Sequence, residues 1–150
     1  MIGLLQRVSH AEVRVGGESI GGIGPGLLVL VGVERGDTSA SGERLLERLL
    51  GYRVFVDDAG LMNRSLAQTG GGLLLVPQFT LMADTRKGTR PGFSAAAEPG
   101  VAANAFGALV DTARQRHPDV AAGRFGADMQ VSLCNDGPVT FWLSAPPGSK

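Results

Sequence analysis

Short apolar-rich runs broken by glycine dominate this chain, and stretches with helical spacing are few. Ile2 to Val8 reads as a strand; Ala11 to Val15 follows, and Gly16-Gly17 turns the chain into Glu18 to Ile20, the pattern of a hairpin. Beyond the glycine-rich stretch Gly21 to Gly26, Leu27 to Val33 is almost wholly apolar, as expected of a strand buried on both faces. Tyr52 to Val56, Leu73 to Val76, Val120 to Phe125, Met129 to Cys134 and Val139 to Leu143 complete the expected strands. Helical spacing arises after polar Asp37 to Ser41, where Leu45, Leu46, Leu49 and Leu50 share one face until Gly51. It recurs after Pro99, with Val101, Ala102, Ala105, Phe106, Leu109, Val110 and Ala113 on one face until His117-Pro118. The order predicts an α+β fold: a curved, barrel-like, mostly antiparallel sheet with two principal outer helices. Residues 1–144 form the expected single domain and 145–150 a flexible tail.

Composition narrows the function classes. Formal net charge is zero, so no global field draws in a polyanion, and any such partner is held by a local patch. Glycine, at 23 residues, stands at about twice its usual share, which implies many tight turns. The single cysteine, Cys134, excludes an internal disulfide and fits a reducing compartment. No segment resembles a signal peptide and no apolar run reaches membrane-spanning length, so a cytoplasmic protein without membrane contact is expected.

The usual catalytic sets are thin. His10 and His117 sit in no motif, and with one isolated cysteine they make no zinc site; no metal or other cofactor is expected. Gly22-Ile23-Gly24-Pro25-Gly26 precedes a strand instead of a helix, which argues against a phosphate cradle. Asp57-Asp58-Ala59-Gly60 lacks a third ligand at calcium-loop spacing and reads as a turn. Three stretches stand out instead. Pro77-Gln78-Phe79-Thr80-Leu81 follows a buried strand, and its polar residues at the strand end suit the lining of a site. Met82 to Gly92 holds the densest basic cluster, Arg86, Lys87 and Arg90, either a solvated loop or a set of phosphate contacts. Asn135-Asp136-Gly137-Pro138-Val139-Thr140 carries a turn signal, but Pro138 withholds the amide donor that an Asp-Gly hairpin uses. It reads either as an edge hairpin or as a rigid backbone probe aimed into a pocket, and the segment alone leaves both open. Gln78, Thr80, amides near Phe79 and the Gly137-Pro138 corner can stabilise an oxyanion and shape a pocket without a strong base. That set suits a reactive substrate such as an activated ester.

Pro77 to Leu81 and Asn135 to Thr140 together resemble the two signature motifs of the D-aminoacyl-tRNA deacylases. The likeness extends over Gln6-Arg7-Val8, Gly24 to Leu30, Ala83 to Gly88 and Gly123 to Leu133, almost the whole chain. It implies a homodimeric, cofactor-free esterase, with active sites at the interface, that removes D-amino acids from tRNA and thereby proofreads chirality in translation. It further implies cleavage of glycyl groups mischarged on alanine tRNA. By the same resemblance Gln78, Phe79 and Thr80 are catalytic, with the Phe79 and Thr80 amides as oxyanion donors. Gly137 and Pro138 become a chiral filter, joined by a cis peptide and inserted into the partner's pocket, and Ala102 and Met129 become pocket wall. One residue departs from the family pattern, Pro77 standing where serine is usual. It keeps two other readings in view: a deacylase of L-alanyl groups mischarged on threonine tRNA, and a tRNA-binding module without catalysis.

Overall fold

A computed structural model describes residues 1–148. Its frame is one long strand, β1 (Ile2–Val15), which serves partners on both edges. Along one edge its first half pairs antiparallel with β3 (Gly26–Gly32) and its second half with β2 (Glu18–Ile23). The sheet continues in parallel through β6 (Gly72–Pro77) to β7 (Val120–Ala122). β2 then comes back against β7, where a methyl group on Gly21 would lie 3.2 Å from the Ala122 carbonyl, so the sheet curls into a nearly closed barrel. Along its other edge β1 carries β8 (Gln130–Ser144). Antiparallel pairings outnumber parallel ones, and the α+β architecture is the expected one.

Strand periodicity divides the core in two. Leu27, Val29 and Val31 face α1 (Ser39–Gly51) and α3 (Pro99–Arg116), where Leu45, Leu46, Leu49, Phe106, Leu109 and Ala113 meet them. Leu28 faces the barrel interior with Val8, Val13, Ile23, Leu74 and Val76. Both sets are fully buried, which is why Leu27 to Val33 carries no polar alternation. Each buried leucine contributes about 1.5–3 kcal/mol.

Several expectations need correction. The two runs around Asp136-Gly137 are not arms of a hairpin: β8 passes straight through and pairs with β1 on both sides of the corner. Thr140 sits opposite Gln6 and Asn135 opposite Val8, so residues 136–139 bulge out opposite Arg7 alone. The strand expected over Val120 to Phe125 ends at Ala122, because Pro77 has no N–H for the next rung. Sequence reading also missed β5 (Met62–Ser65), which pairs with β4 (Arg53–Val56), and the short helix α2 (Leu66–Thr69). Between β4 and β5 the Asp57 carboxylate accepts from the Leu61 and Ala59 amides and from Asn63, a turn that holds its pKa below the ordinary carboxylate value. Ala145, assigned to the tail, is buried and donates to the Met1 carbonyl; Ser149 and Lys150 lie outside the described residues. The Met1 ammonium is itself buried, 2.6 Å from Asp37 and 3.1 Å from Glu34, and donates to the Ala145 carbonyl. Among the described residues no helix is long and apolar enough to cross a membrane.

Candidate active site

Where β6 ends, the chain is forced off the sheet. Pro77 closes the β6–β7 ladder, and the Gln78 amide makes the last contact with β3, donating to the Val31 carbonyl at 2.7 Å. Phe79–Met82 then winds into one turn of 3₁₀ helix. The first N–H groups of such a turn have no partner within it. Those of Phe79 and Thr80 have no acceptor among the described residues. The Gln78 side-chain amide donates to the Thr80 hydroxyl oxygen, which leaves the hydroxyl proton free to be given elsewhere.

Beside this turn lies a pocket of about 470 Å³. Val76, Pro77, Gln78 and Phe79 form one wall; Ala96, Ala97, Pro99 and Ala102 form a second; Phe125, Ala127, Met129 and Val131 form the third. The second wall is fixed by the end of β3, where the Ala97 amide donates to the Val33 carbonyl and Arg35 donates to Ala95. Pro99 starts α3 there, and its first turn brings Ala102 to the pocket. No lining side chain is titratable. Among the described residues no three of His, Cys, Asp and Glu gather as they would around a metal ion.

The sequence-predicted residues thus separate into three places. Gln78, Phe79, Ala102 and Met129 line one pocket, and Thr80 joins them through Gln78. Arg86, Lys87 and Arg90 line a second, open cleft of about 610 Å³ with Asp84, Phe93 and Ser94. Phe79, 60% exposed, leans on Phe93 at 5.1 Å between ring centres and so links the two clefts. Gly137 and Pro138 line neither of these; they stand exposed on the bulge of β8, joined by a cis peptide bond.

That bulge is braced from within. Asn135 replaces the lost ladder, its side-chain oxygen accepting from the Val139 amide at 3.0 Å and its nitrogen donating to the Thr140 hydroxyl at 2.8 Å. Arg7, with a side chain only 12% exposed, donates to the Asp136 carbonyl at 3.0 Å and to the Val54 carbonyl at 2.7 Å. Gly137 has φ +133°, and a methyl group there would lie 2.8 Å from Val139 Cγ2 and 3.1 Å from Arg7 Nη2. Only glycine fits that backbone without strain. Arg7, Asn135 and Phe125 were missed as site-building residues, although an arginine inside the largely apolar run Ile2 to Val8 was a usable signal.

Charge in the basic loop is unevenly distributed. Hydrogen bonds from Arg86 hold the Asp84 carboxyl down at about 2, and Asp84 raises the Arg86 pKa in turn. The pair is therefore ionised at every physiological pH, and its contribution fades only as pH falls from the ordinary 3.8 through about 2.

Comparison with known proteins fits this geometry. The profile of a family described as D-Tyr-tRNA(Tyr) deacylase matches residues 4–144. A D-aminoacyl-tRNA deacylase of Thioalkalivibrio sulfidiphilus is 66% identical over 147 residues, covering 98% of this chain and 99% of the relative. One from a Janthinobacterium species is 60% identical with the same coverage. Among solved structures, a c-Myc DNA unwinding element binding protein is 37% identical with a TM-score of 0.92, over 97% of this chain and 99% of that one. A probable eukaryotic D-amino acid tRNA deacylase, 17% identical with a TM-score of 0.77 over 95% of this chain and 97% of that one, shares the fold. With the profile spanning nearly its full length, the chain belongs to the D-Tyr-tRNA(Tyr) deacylase family.

Proposed function

We propose that the protein hydrolyses the ester bond of D-aminoacyl-tRNA, releasing the free D-amino acid and tRNA. The observation that carries this reading is the pair of unengaged main-chain N–H groups, at Phe79 and Thr80, beside a pocket with no titratable side chain. An aminoacyl ester is reactive enough to need orientation and charge stabilisation more than a strong base. Water attacks the ester carbonyl, and the two N–H groups receive the negative charge that develops on its oxygen. The C–O bond to the ribose then breaks, and the terminal ribose oxygen leaves as a hydroxyl. The neighbouring ribose hydroxyl helps to activate the water, and no covalent enzyme intermediate forms. Loss of one such donor costs about 10²–10³ in rate.

In the same reading the active unit is a homodimer. The exposed Gly137-Pro138 corner of one copy enters the pocket of the other, which it does not reach in its own chain. Its carbonyls accept from the substrate's ammonium group, and an L side chain is driven against the wall. Rejection by ~10⁴ corresponds to about 5.5 kcal/mol, which a rigid clash supplies. Glycine has no side chain to exclude, so glycyl groups mischarged on alanine tRNA are also removed. In the cytoplasm the loop that carries Arg86, Lys87 and Arg90 faces the tRNA phosphates.

Hydrolysis of D-tyrosyl-, L-tyrosyl-, glycyl- and L-alanyl-tRNA by the purified protein tests the activity and its substrate range. The D and glycyl substrates are cleaved and the L substrate persists. Cleavage of L-alanyl-tRNA alone would favour the second reading, which Pro77 supports, and no cleavage of any substrate would leave a tRNA-binding module.

A further inference from the structure

The basic loop is closed at its base by a pair of backbone hydrogen bonds: the Asp84 amide donates to Gly92 at 2.7 Å and the Gly92 amide to Asp84 at 3.0 Å. Inside the closed loop the Asp84 carboxylate accepts from Arg86 Nη2 at 2.7 Å, from Nε at 2.8 Å and from the Arg86 amide at 3.1 Å. Two parallel charge-assisted bonds occupy the Nε–Nη2 edge of the guanidinium and set a carboxylate against its charge, while Nη1 has no partner among the described residues. Lys87 and Arg90 line the same cleft and make no salt bridge or side-chain hydrogen bond among the described residues.

We infer that Asp84 limits the charge this loop presents to tRNA: it neutralises Arg86, so Lys87 and Arg90 act as the phosphate-contacting cations. The inference rests on the reading of this loop as a tRNA-contacting surface. Asp84 is thus a positioning residue that acts through Arg86. Counterion release registers only the cations that neutralise phosphates, so an internally paired arginine is nearly silent in the salt dependence of binding. A carboxylate that merely holds the shape of the loop predicts the opposite outcome, since its removal would disorder Lys87 and Arg90 and weaken binding.

Uncharged tRNA is the probe, its affinity measured by fluorescence anisotropy from about 50 to about 200 mM salt. Lys87→Ala/Arg90→Ala should flatten the logarithmic salt slope by up to about 1.8, since each lost contact accounts for about 0.7–0.9. Asp84→Asn should steepen the slope by about 0.7–0.9 and tighten binding at low salt, because it releases Arg86. Asp84→Ala/Arg86→Ala removes a neutral pair and should keep the native slope. An unchanged slope in Lys87→Ala/Arg90→Ala would remove the loop from the tRNA interface and overturn both readings. A flattened slope there, with weaker or unchanged binding in Asp84→Asn, would overturn the inference alone. If Asp84→Asn lowers the melting temperature, the Asp84→Ala/Arg86→Ala slope decides: native supports the inference, and flattened by about 0.7 or more overturns it.

Discussion

Pro77 shows how one side chain can act through a bond it cannot make. The β6–β7 rungs, Leu73 to Asp119 at 2.9 Å and Gly123 to Leu75 at 2.8 Å, place the amide of residue 77 opposite the Gly123 carbonyl. Proline leaves that rung empty, and the freed chain turns Phe125 and Ala127 into the pocket wall. Pro77→Ser restores the donor, worth about 1 kcal/mol. It also frees the unfolded chain, which costs about 0.4–1 kcal/mol. Stability should therefore hold within about 1 kcal/mol in denaturant titrations. Deacylase kcat/KM should stay within about tenfold, because the oxyanion donors are main-chain groups further along. A thousandfold change in either direction would make residue 77 part of the chemistry. Arg7 works by reach, bridging Asp136 and Val54 with a forked donor set. A lysine keeps the charge but not the fork. Arg7→Lys should lower the ratio of D to L cleavage while the protein stays folded, and rates on paired D- and L-tyrosyl-tRNA read that ratio.

At the scale of elements, most strands and both long helices were legible because burial imposes their periods: Leu27, Leu28, Val29, Val31 and Val33 are buried along β3 and just beyond it, and Leu45, Leu46, Leu49 and Leu50 along one face of α1. β8 was misread because Asp-Gly is a local signal and strand pairing is not. β1 runs past the corner and holds both flanks in one ladder, so the turn becomes a bulge. Asn135 makes that possible by taking over the Val139 amide. Asn135→Ala should leave that donor unpaired at a cost of about 1–3 kcal/mol. Hydrogen exchange at Val139 should quicken while exchange at Leu5 and Val29 keeps its relative protection. The pocket itself was half legible: Gln78 to Thr80 announce themselves by polarity after an apolar strand. Ala96, Ala97 and Phe125 carry no such mark, since only tertiary packing brings them to the same space.

For the whole molecule, a buried charge ties the start of β1 to both neighbours. The Met1 ammonium lies between Asp37, whose side chain is 0% exposed, and Glu34, while the Ala145 carbonyl accepts from it. Breaking such a pair by removing one partner typically costs about 3–5 kcal/mol. Asp37→Asn should lose the lower end of that range, about 3 kcal/mol by denaturant unfolding, since Glu34 stays in place. The pocket, by contrast, contains nothing that ionises. The pH profile of deacylation should then show no enzyme inflection between about 6 and 9, and the only break should follow the substrate's amino group. The groups proposed to do the chemistry belong to the polypeptide backbone, and every amino acid except proline supplies the same ones. Side-chain drift leaves such a site standing, and an alanine scan of Phe79 and Thr80 would pass over it. The perturbation that reads it is atomic: an ester in place of the amide at Thr80 removes that N–H and leaves every side chain as it was.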